Sequence, residues 1–120
     1  MKVIIVDDDR VIRNELGKQL ENKGVNVKIA SDGVVALKML HEDVYDALIT
    51  DVHMPNMDGI SLVKGAITQK VLPQKLIFMS GGTKNGFSAK ASLLPLSMFS
   101  PTALLKKTDK LSKEILDALN

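Results

Sequence analysis

The sequence VIIVDDD at residues 3–9 gives the first indication of the fold of this chain. A short β-branched run of this kind is typical of a strand buried on both faces, and three aspartates end it. Apolar residues then recur every fourth position at Ile12, Leu16 and Leu20, which predicts an amphipathic helix. Gly24 follows as a helix stop. The chain therefore begins with one strand-helix unit.

The same alternation continues to the end of the chain and predicts a single α/β domain over residues 1–120. The domain has a five-stranded parallel sheet with helices on both faces. Residues 25–29 alternate apolar and polar, so that strand is expected near an edge. A helix at 88–94, broken at Pro95, is predicted within a segment rich in glycine and proline. The other strands are predicted at 47–50, 76–79 and 103–105, and the other helices around Leu37, Val63 and Ile115.

Composition excludes several classes of protein. The chain has no Cys, so disulfide scaffolds, thiolate zinc sites and thiol catalysis are ruled out. Its 16 basic and 14 acidic residues nearly balance, and only 3% of residues are aromatic, which argues against direct nucleic-acid binding. The apolar runs are too short to span a bilayer, and the amino terminus lacks a signal-peptide core. We expect a soluble, cytoplasmic protein without membrane insertion.

Polar residues follow four of the five predicted strands. In an open parallel sheet, ligands bind beyond the carboxyl ends of the strands. Two carboxylates about 5 Å apart repel by roughly 3 kcal/mol at an effective dielectric constant near 20, and a divalent cation removes that cost. Oxygen ligands favour Mg²⁺ or Mn²⁺, and a neutralised Asp can act as a nucleophile on phosphorus. The residues at these ends are Asp7-Asp8-Asp9, Asp51, Ser80 and Lys106-Lys107.

The most specific motif is DVHMPNMDG at residues 51–59. Together with residues 5–9, 79–81 and 105–107, it resembles the receiver domain of bacterial two-component response regulators over essentially the whole chain. The resemblance implies a flavodoxin-like (βα)5 fold with strand order 2-1-3-4-5. It also implies that Asp51 accepts a phosphoryl group from a histidine kinase or phosphotransfer protein.

The resemblance further implies a Mg²⁺ site. Asp7 and Asp8 would hold the ion, Asp8 more directly, with Asp51 and the backbone carbonyl of His53 as the remaining protein ligands. Taken alone, the three aspartates after the first strand could simply begin a helix, because acidic residues are favoured there. Asp9 is expected to be that helix cap and not a metal ligand.

Ser80 and Lys107 complete the implied site. Ser80 would hydrogen-bond the phosphoryl group, and Lys107 would pair with it. Lys106 is the other candidate; Lys107 is preferred because Leu111 then falls at the spacing usual in the family, and Lys106 is expected to be solvated. The family normally has a proline after this lysine, joined through a cis bond, whereas Thr108 stands here.

The segment between Ser80 and Lys107 also departs from the family pattern. It is a few residues longer than usual, and Leu104 stands where an aromatic switch residue is common. A switch that depends on rotation of a Tyr or Phe at that position is therefore excluded.

The predicted function is that of a phosphoacceptor receiver that catalyses only its own phosphorylation and dephosphorylation and acts through a downstream effector protein. We expect a stand-alone receiver, although a fragment of a longer regulator would have the same sequence pattern. One alternative is a receiver-fold binding module that signals without phosphorylation. Another is a Mg²⁺-dependent phosphohydrolase with an Asp nucleophile, but such enzymes usually have a second Asp where this chain has His53.

Overall fold

The computed structural model describes residues 1–81 and 99–120. All five predicted strands are present in these residues, as are the four helices predicted within them, and none of these helices is long and apolar enough to cross a bilayer. The helix predicted at 88–94, with its break at Pro95, lies outside the described residues. The elements are β1 (Lys2–Val6), α1 (Arg10–Glu21), β2 (Asn26–Ala30), α2 (Gly33–Glu42), β3 (Ala47–Asp51), α3 (Gly59–Thr68), β4 (Lys75–Ser80), β5 (Ala103–Lys106) and α4 (Leu111–Leu119).

The sheet is parallel throughout, with strand order β2-β1-β3-β4-β5, which confirms the predicted flavodoxin-like topology. β2 is an edge strand, as its alternating pattern indicated, and Ile29 on it is 42% exposed. In the register, Val6 pairs with Thr50, and Asp51 pairs with Met79. β1, β3 and β4 therefore end within two residues of one another along the sheet.

Each face of the sheet carries its own apolar core. The central strands are buried on both faces because helices cover both sides, which explains their continuous apolar runs. Alternate residues of a strand enter opposite cores; Ile4 packs with α2 and α3, while Ile5 packs with α1 and α4. The two cores hold the strands rigidly and so fix the positions of the residues that follow them.

Three helices begin with an aspartate cap at the carboxyl edge of the sheet. Asp9 accepts hydrogen bonds from Val11 N at 2.9 Å and Ile12 N at 3.2 Å, which confirms that it caps α1. Asp32 caps α2 and Asp58 caps α3 in the same way. Each cap satisfies backbone N–H groups that the first turn of a helix leaves unpaired.

Candidate functional site

The aspartates after β1 are held by the turn into α1. Asp7 is completely buried, whereas Asp8 is exposed. One carboxylate oxygen of Asp7 accepts a hydrogen bond from Asp9 N at 2.9 Å. The Arg13 guanidinium donates to the Asp7 carbonyl at 3.0 Å. The first bond holds the Asp7 carboxylate, and the second holds the Asp7 backbone, at the edge of the sheet.

Asp51, the last residue of β3, is only 6% exposed. The chain folds back directly over it, because Gly59 N donates to Val52 O at 2.8 Å. A Cβ on Gly59 would lie 2.2 Å from the Asp51 carbonyl oxygen, which no side chain can do. Only glycine therefore allows α3 to begin this close to Asp51.

Lys107 lies between the two buried carboxylates. Its Nζ is 2.6 Å from Asp7 Oδ2 and 2.8 Å from Asp51 Oδ2, and it donates a hydrogen bond to Asp51. Lys106 is exposed, as expected, so the structure brings Lys107 and not Lys106 to the aspartates. One ammonium group thus contacts carboxylates at the ends of two different strands.

The backbone at Lys107 is fixed without the usual proline. All peptide bonds in the described residues are trans, including the bond from Lys107 to Thr108. Lys107 N donates to Ser80 O at 2.7 Å, one residue beyond the register pair of Ser80 with Lys106. This hydrogen bond prolongs the pairing of β4 with β5 and brings the Lys107 side chain to the site.

Ser80 and His53 each contact a residue of the site through the backbone, Ser80 contacting Lys107 and His53 contacting Asp51. Ser80 is 1% exposed, and its hydroxyl oxygen has no hydrogen-bond partner within residues 1–81 and 99–120. A Cβ on the neighbouring Gly81 would meet no atom of the described residues within 4 Å. The His53 side chain is exposed, and its backbone hydrogen-bonds to the Asp51 carboxylate. The part of the His53 carbonyl as a metal ligand stays a prediction.

The three aspartates fit a hard divalent cation. Asp7, Asp8 and Asp51 each offer a carboxylate oxygen, and these oxygens all lie within 4.8 Å of one another. Carboxylate oxygens are hard ligands of the kind that Mg²⁺ binds, so these three side chains would hold the ion. Asp7 Oδ2 is buried, and the Lys107 ammonium at 2.6 Å is its one polar partner among the described residues. It therefore has lone pairs available for a metal.

Burial and neighbouring charges shift the pKa values of Asp51 and Lys107. Burial raises the pKa of the Asp51 carboxyl above its usual value; the Asp7 charge adds to the rise, and Lys107 opposes it. Burial would lower the pKa of Lys107, but its contacts with Asp51 and Asp7 outweigh burial and raise it. Lys107 therefore remains charged at neutral pH, and an ionised Asp51 depends on its neighbours for stability.

Two further contacts to the β3–α3 loop (residues 52–58) were not identified from the sequence. Asn56 Nδ2 donates to Asp32 Oδ2 at 3.4 Å, and a Cβ on Gly33 would lie 2.8 Å from the Met57 carbonyl oxygen. The sequence does contain a signal, because Asp-Gly directly before a helical stripe indicates a cap and a close backbone approach. Nothing in the pattern shows that this pair faces the loop after Asp51.

We expect Asp8→Asn to stabilise the protein in the presence of EDTA. Lys107 contacts Asp7 and Asp51 but not Asp8, so removal of the Asp8 charge relieves repulsion at a site with excess negative charge. Melting followed by circular dichroism should show a rise of about 3 °C, from a gain of somewhat less than 1 kcal/mol. Mg²⁺ should raise the melting temperature of the wild type more than that of the variant.

The control for this prediction is Asp117→Asn, which removes an exposed carboxylate from α4. It should melt like the wild type with and without Mg²⁺. If Asp8→Asn also melts like the wild type in EDTA, the three carboxylates carry no net repulsion.

The fold and this site define a flavodoxin-like domain with an acidic pocket at the carboxyl edge of its sheet. The family model of the response regulator receiver domain matches residues 3–99. The chain belongs to this family, the receiver domains of two-component response regulators, which are signalling modules. The predicted resemblance is confirmed.

Individual relatives support the same assignment. The response regulator MprA of Mycobacterium avium is 44% identical over 64 residues, which are 53% of this chain and 28% of MprA. This chain therefore matches little more than a quarter of that relative's length. The chemotaxis response regulator CheY4 of Vibrio cholerae is 25% identical, with a TM-score of 0.84, and the match covers 99% of this chain and 98% of CheY4.

A third match concerns the fold alone. The response regulator TrrA of Thermotoga maritima, solved in complex with Mg²⁺ and BeF, is 23% identical, with a TM-score of 0.76. The match covers 98% of this chain and 97% of TrrA.

Proposed function

We propose that residues 1–120 form a single phosphoacceptor receiver in which Asp51 accepts a phosphoryl group in a Mg²⁺-dependent reaction. The donor is a histidine kinase or a phosphotransfer protein, and phosphorylation changes the binding of a downstream effector protein. The observation that carries this proposal is the convergence of Asp7, Asp8 and Asp51 to within 4.8 Å, with Lys107 against two of them. Three carboxylates and one ammonium leave a negative excess that a divalent cation would neutralise.

In the proposed reaction, a carboxylate oxygen of Asp51 attacks the phosphorus atom of the donor phosphohistidine. The new oxygen–phosphorus bond replaces the phosphorus–nitrogen bond, whose electron pair stays on the imidazole nitrogen. The product is an aspartyl phosphate. Its hydrolysis by water regenerates the carboxylate and releases inorganic phosphate, which returns the protein to its unphosphorylated state.

Residues around Asp51 supply the charge complementarity that phosphoryl transfer needs. Lys107 already contacts the Asp51 carboxylate and would neutralise the oxygens of the incoming phosphoryl group. The hydroxyl of Ser80, which has no hydrogen-bond partner among residues 1–81 and 99–120, would donate to one of them. Asp7, Asp8, Asp51 and the carbonyl of His53 would hold Mg²⁺, which supplies positive charge to the phosphoryl oxygens when bound.

The proposed role of His53 is to control access of water. Its exposed ring follows Asp51 by two residues, where a catalytic acid stands in Asp-based phosphohydrolases. Because His53 stands in place of that carboxylic acid, turnover of phosphate esters is not expected.

The alternative, a binding module that works without phosphorylation, is favoured by two features of the sequence, the Lys107–Thr108 link in place of the usual lysine–proline and the predicted helix break at Pro95. Phosphorylation by acetyl phosphate distinguishes the two functions. We expect incubation with acetyl phosphate and Mg²⁺ to add the mass of one phosphoryl group to the intact protein. The modification should be absent in EDTA and should be removed by hydroxylamine, which cleaves acyl phosphates.

Asp51→Asn should abolish the modification, because an amide oxygen is a poor nucleophile. Asp117→Asn, which removes an exposed carboxylate of α4, should be modified at the wild-type rate. An unmodified wild-type protein would favour the phosphorylation-independent module. Modification that persists in Asp51→Asn would place the acceptor elsewhere.

A further inference from the structure

The amino terminus of α2 packs tightly against the β3–α3 loop. A Cβ on Gly33, the first residue of α2, would lie 2.8 Å from both the carbonyl oxygen and the Cγ of Met57 and 2.9 Å from its Cβ. Gly33 does not have a positive φ, so glycine is required here for space and not for backbone conformation. Any side chain at this position would push the loop away from α2.

A second contact joins the same two segments. Asp32 uses one carboxylate oxygen to cap α2, accepting from Val35 N at 2.9 Å, and the other to accept from Asn56 Nδ2 at 3.4 Å. Asn56 has a φ of 67°, in the left-handed region that Asn tolerates better than most residues. The hydrogen bond is long, so the Gly33–Met57 contact is the stronger constraint.

The loop between these contacts and Asp51 is short and closed. Its base is fixed by the hydrogen bond from Gly59 N to Val52 O at 2.8 Å, and its tip by the bond from Met57 N to Pro55 O at 2.7 Å. A shift of Met57 in so small a ring moves the residues between base and tip. His53 is one of them, and its backbone hydrogen-bonds to the Asp51 carboxylate.

We propose that Asp32 and Gly33 are positioning residues for the phosphoacceptor site. Through Asn56 and Met57 they set where the loop places the His53 backbone against the Asp51 carboxylate, and so they set the affinity for Mg²⁺ and the rate of phosphoryl transfer. This inference rests on the proposed function of Asp51. Residues that orient metal ligands from outside typically change metal affinity by about ten- to a hundredfold when they are replaced.

The principal test is Gly33→Ala, with Gly17→Ala as a matched control. Gly17 is also a helical glycine, but a Cβ there would meet only side-chain atoms at 3.7 Å, an ordinary contact distance. In metal-free protein, we expect Gly33→Ala to shift the amide NMR resonances of Asp51 and His53, and Gly17→Ala to leave them in place. The Mg²⁺ dissociation constant, measured by calorimetry, should rise about tenfold in Gly33→Ala only.

A second pair of variants tests the side-chain contact. Asn56→Gly keeps the left-handed backbone and removes the hydrogen bond to Asp32. Lys70→Gly is the control, because it also places glycine at a left-handed position, with a φ of 60°, between α3 and β4. We expect weaker Mg²⁺ binding in Asn56→Gly than in Lys70→Gly. With acetyl phosphate at saturating Mg²⁺, Gly33→Ala should remain slower than the wild type, because added metal does not restore the position of Asp51.

These measurements separate this inference from the proposed function. Resonances of Asp51 and His53 that do not move in Gly33→Ala overturn the inference, as does Mg²⁺ affinity equal to that of Gly17→Ala. If the wild type takes up no phosphoryl group or binds no Mg²⁺, the proposed function fails, while the amide shifts still decide whether α2 positions the loop.

Discussion

Lys107→Met is expected to lower the free energy of unfolding by about 3 kcal/mol in metal-free buffer, because loss of one partner leaves a buried charge uncompensated. Asp7 is completely buried, Asp51 is 6% exposed, and the Lys107 ammonium lies within 2.8 Å of a carboxylate oxygen of each. Methionine keeps an unbranched side chain of similar length and removes the charge. A loss of this size corresponds to a fall in melting temperature of about 10 °C for a domain of this length.

Mg²⁺ should partly reverse this destabilisation, since a divalent cation brings positive charge to the same carboxylates. We therefore expect Mg²⁺ to raise the melting temperature of Lys107→Met more than that of the wild type. Phosphorylation by acetyl phosphate should be slowed about a hundredfold, the effect of removing one group that stabilises developing charge.

Lys106→Met is the control for this prediction, because it removes the neighbouring exposed ammonium, which forms no ion pair with any described residue. It should change neither melting nor phosphorylation appreciably. Equal stability of the two variants would contradict the conclusion that Lys107 neutralises the buried carboxylates. A larger loss of phosphorylation in Lys106→Met would assign the proposed role to Lys106.

Gly59→Ala should have an effect of similar size for a steric reason. The new Cβ would lie 2.2 Å from the Asp51 carbonyl oxygen and 3.1 Å from Val52 Cα, so the backbone of β3 or α3 must shift. Because Gly59 lacks a positive φ, its conformation suits alanine, and the whole cost arises from overpacking. We expect a loss of about 3 kcal/mol, measured by urea denaturation, together with slower phosphorylation.

Gly17→Ala provides the comparison, since both variants add one methyl group to a glycine of a helix. Its Cβ has room beside Val27 and Ile29, and alanine favours helix, so a gain of about 0.5 kcal/mol is expected. A Gly59→Ala protein as stable as the wild type would show that α3 can withdraw from Asp51 at no cost. In that case Gly59 would not constrain the position of Asp51.

Much of the site follows from local sequence patterns. The apolar runs before Asp7, Asp51 and Ser80 predict parallel strands, and the carboxyl ends of parallel strands meet at one edge whatever the details of their packing. Convergence of these residues is therefore predictable once the strands are recognised. The motif at 51–59 adds the loop that follows Asp51 and identifies the family.

Other features depend on contacts between segments distant in the chain. The spacing to Leu111 favoured Lys107 over Lys106, but the contact itself depends on the pairing of β4 with β5, which leaves Lys106 exposed and brings Lys107 to Asp51. The steric requirement for glycine at position 33, which contacts Met57, likewise depends on how α2 packs beside the loop.

The sequence by itself determined the order of strands and helices and the acidic residues at the strand ends, because periodicity and turn residues act over a few neighbouring positions. The tertiary structure decided which lysine reaches the carboxylates, that its link to Thr108 is trans, and which glycines touch the backbone around Asp51. Those features arise from strand register and helix docking, in which a displacement of one residue exchanges a buried side chain for an exposed one.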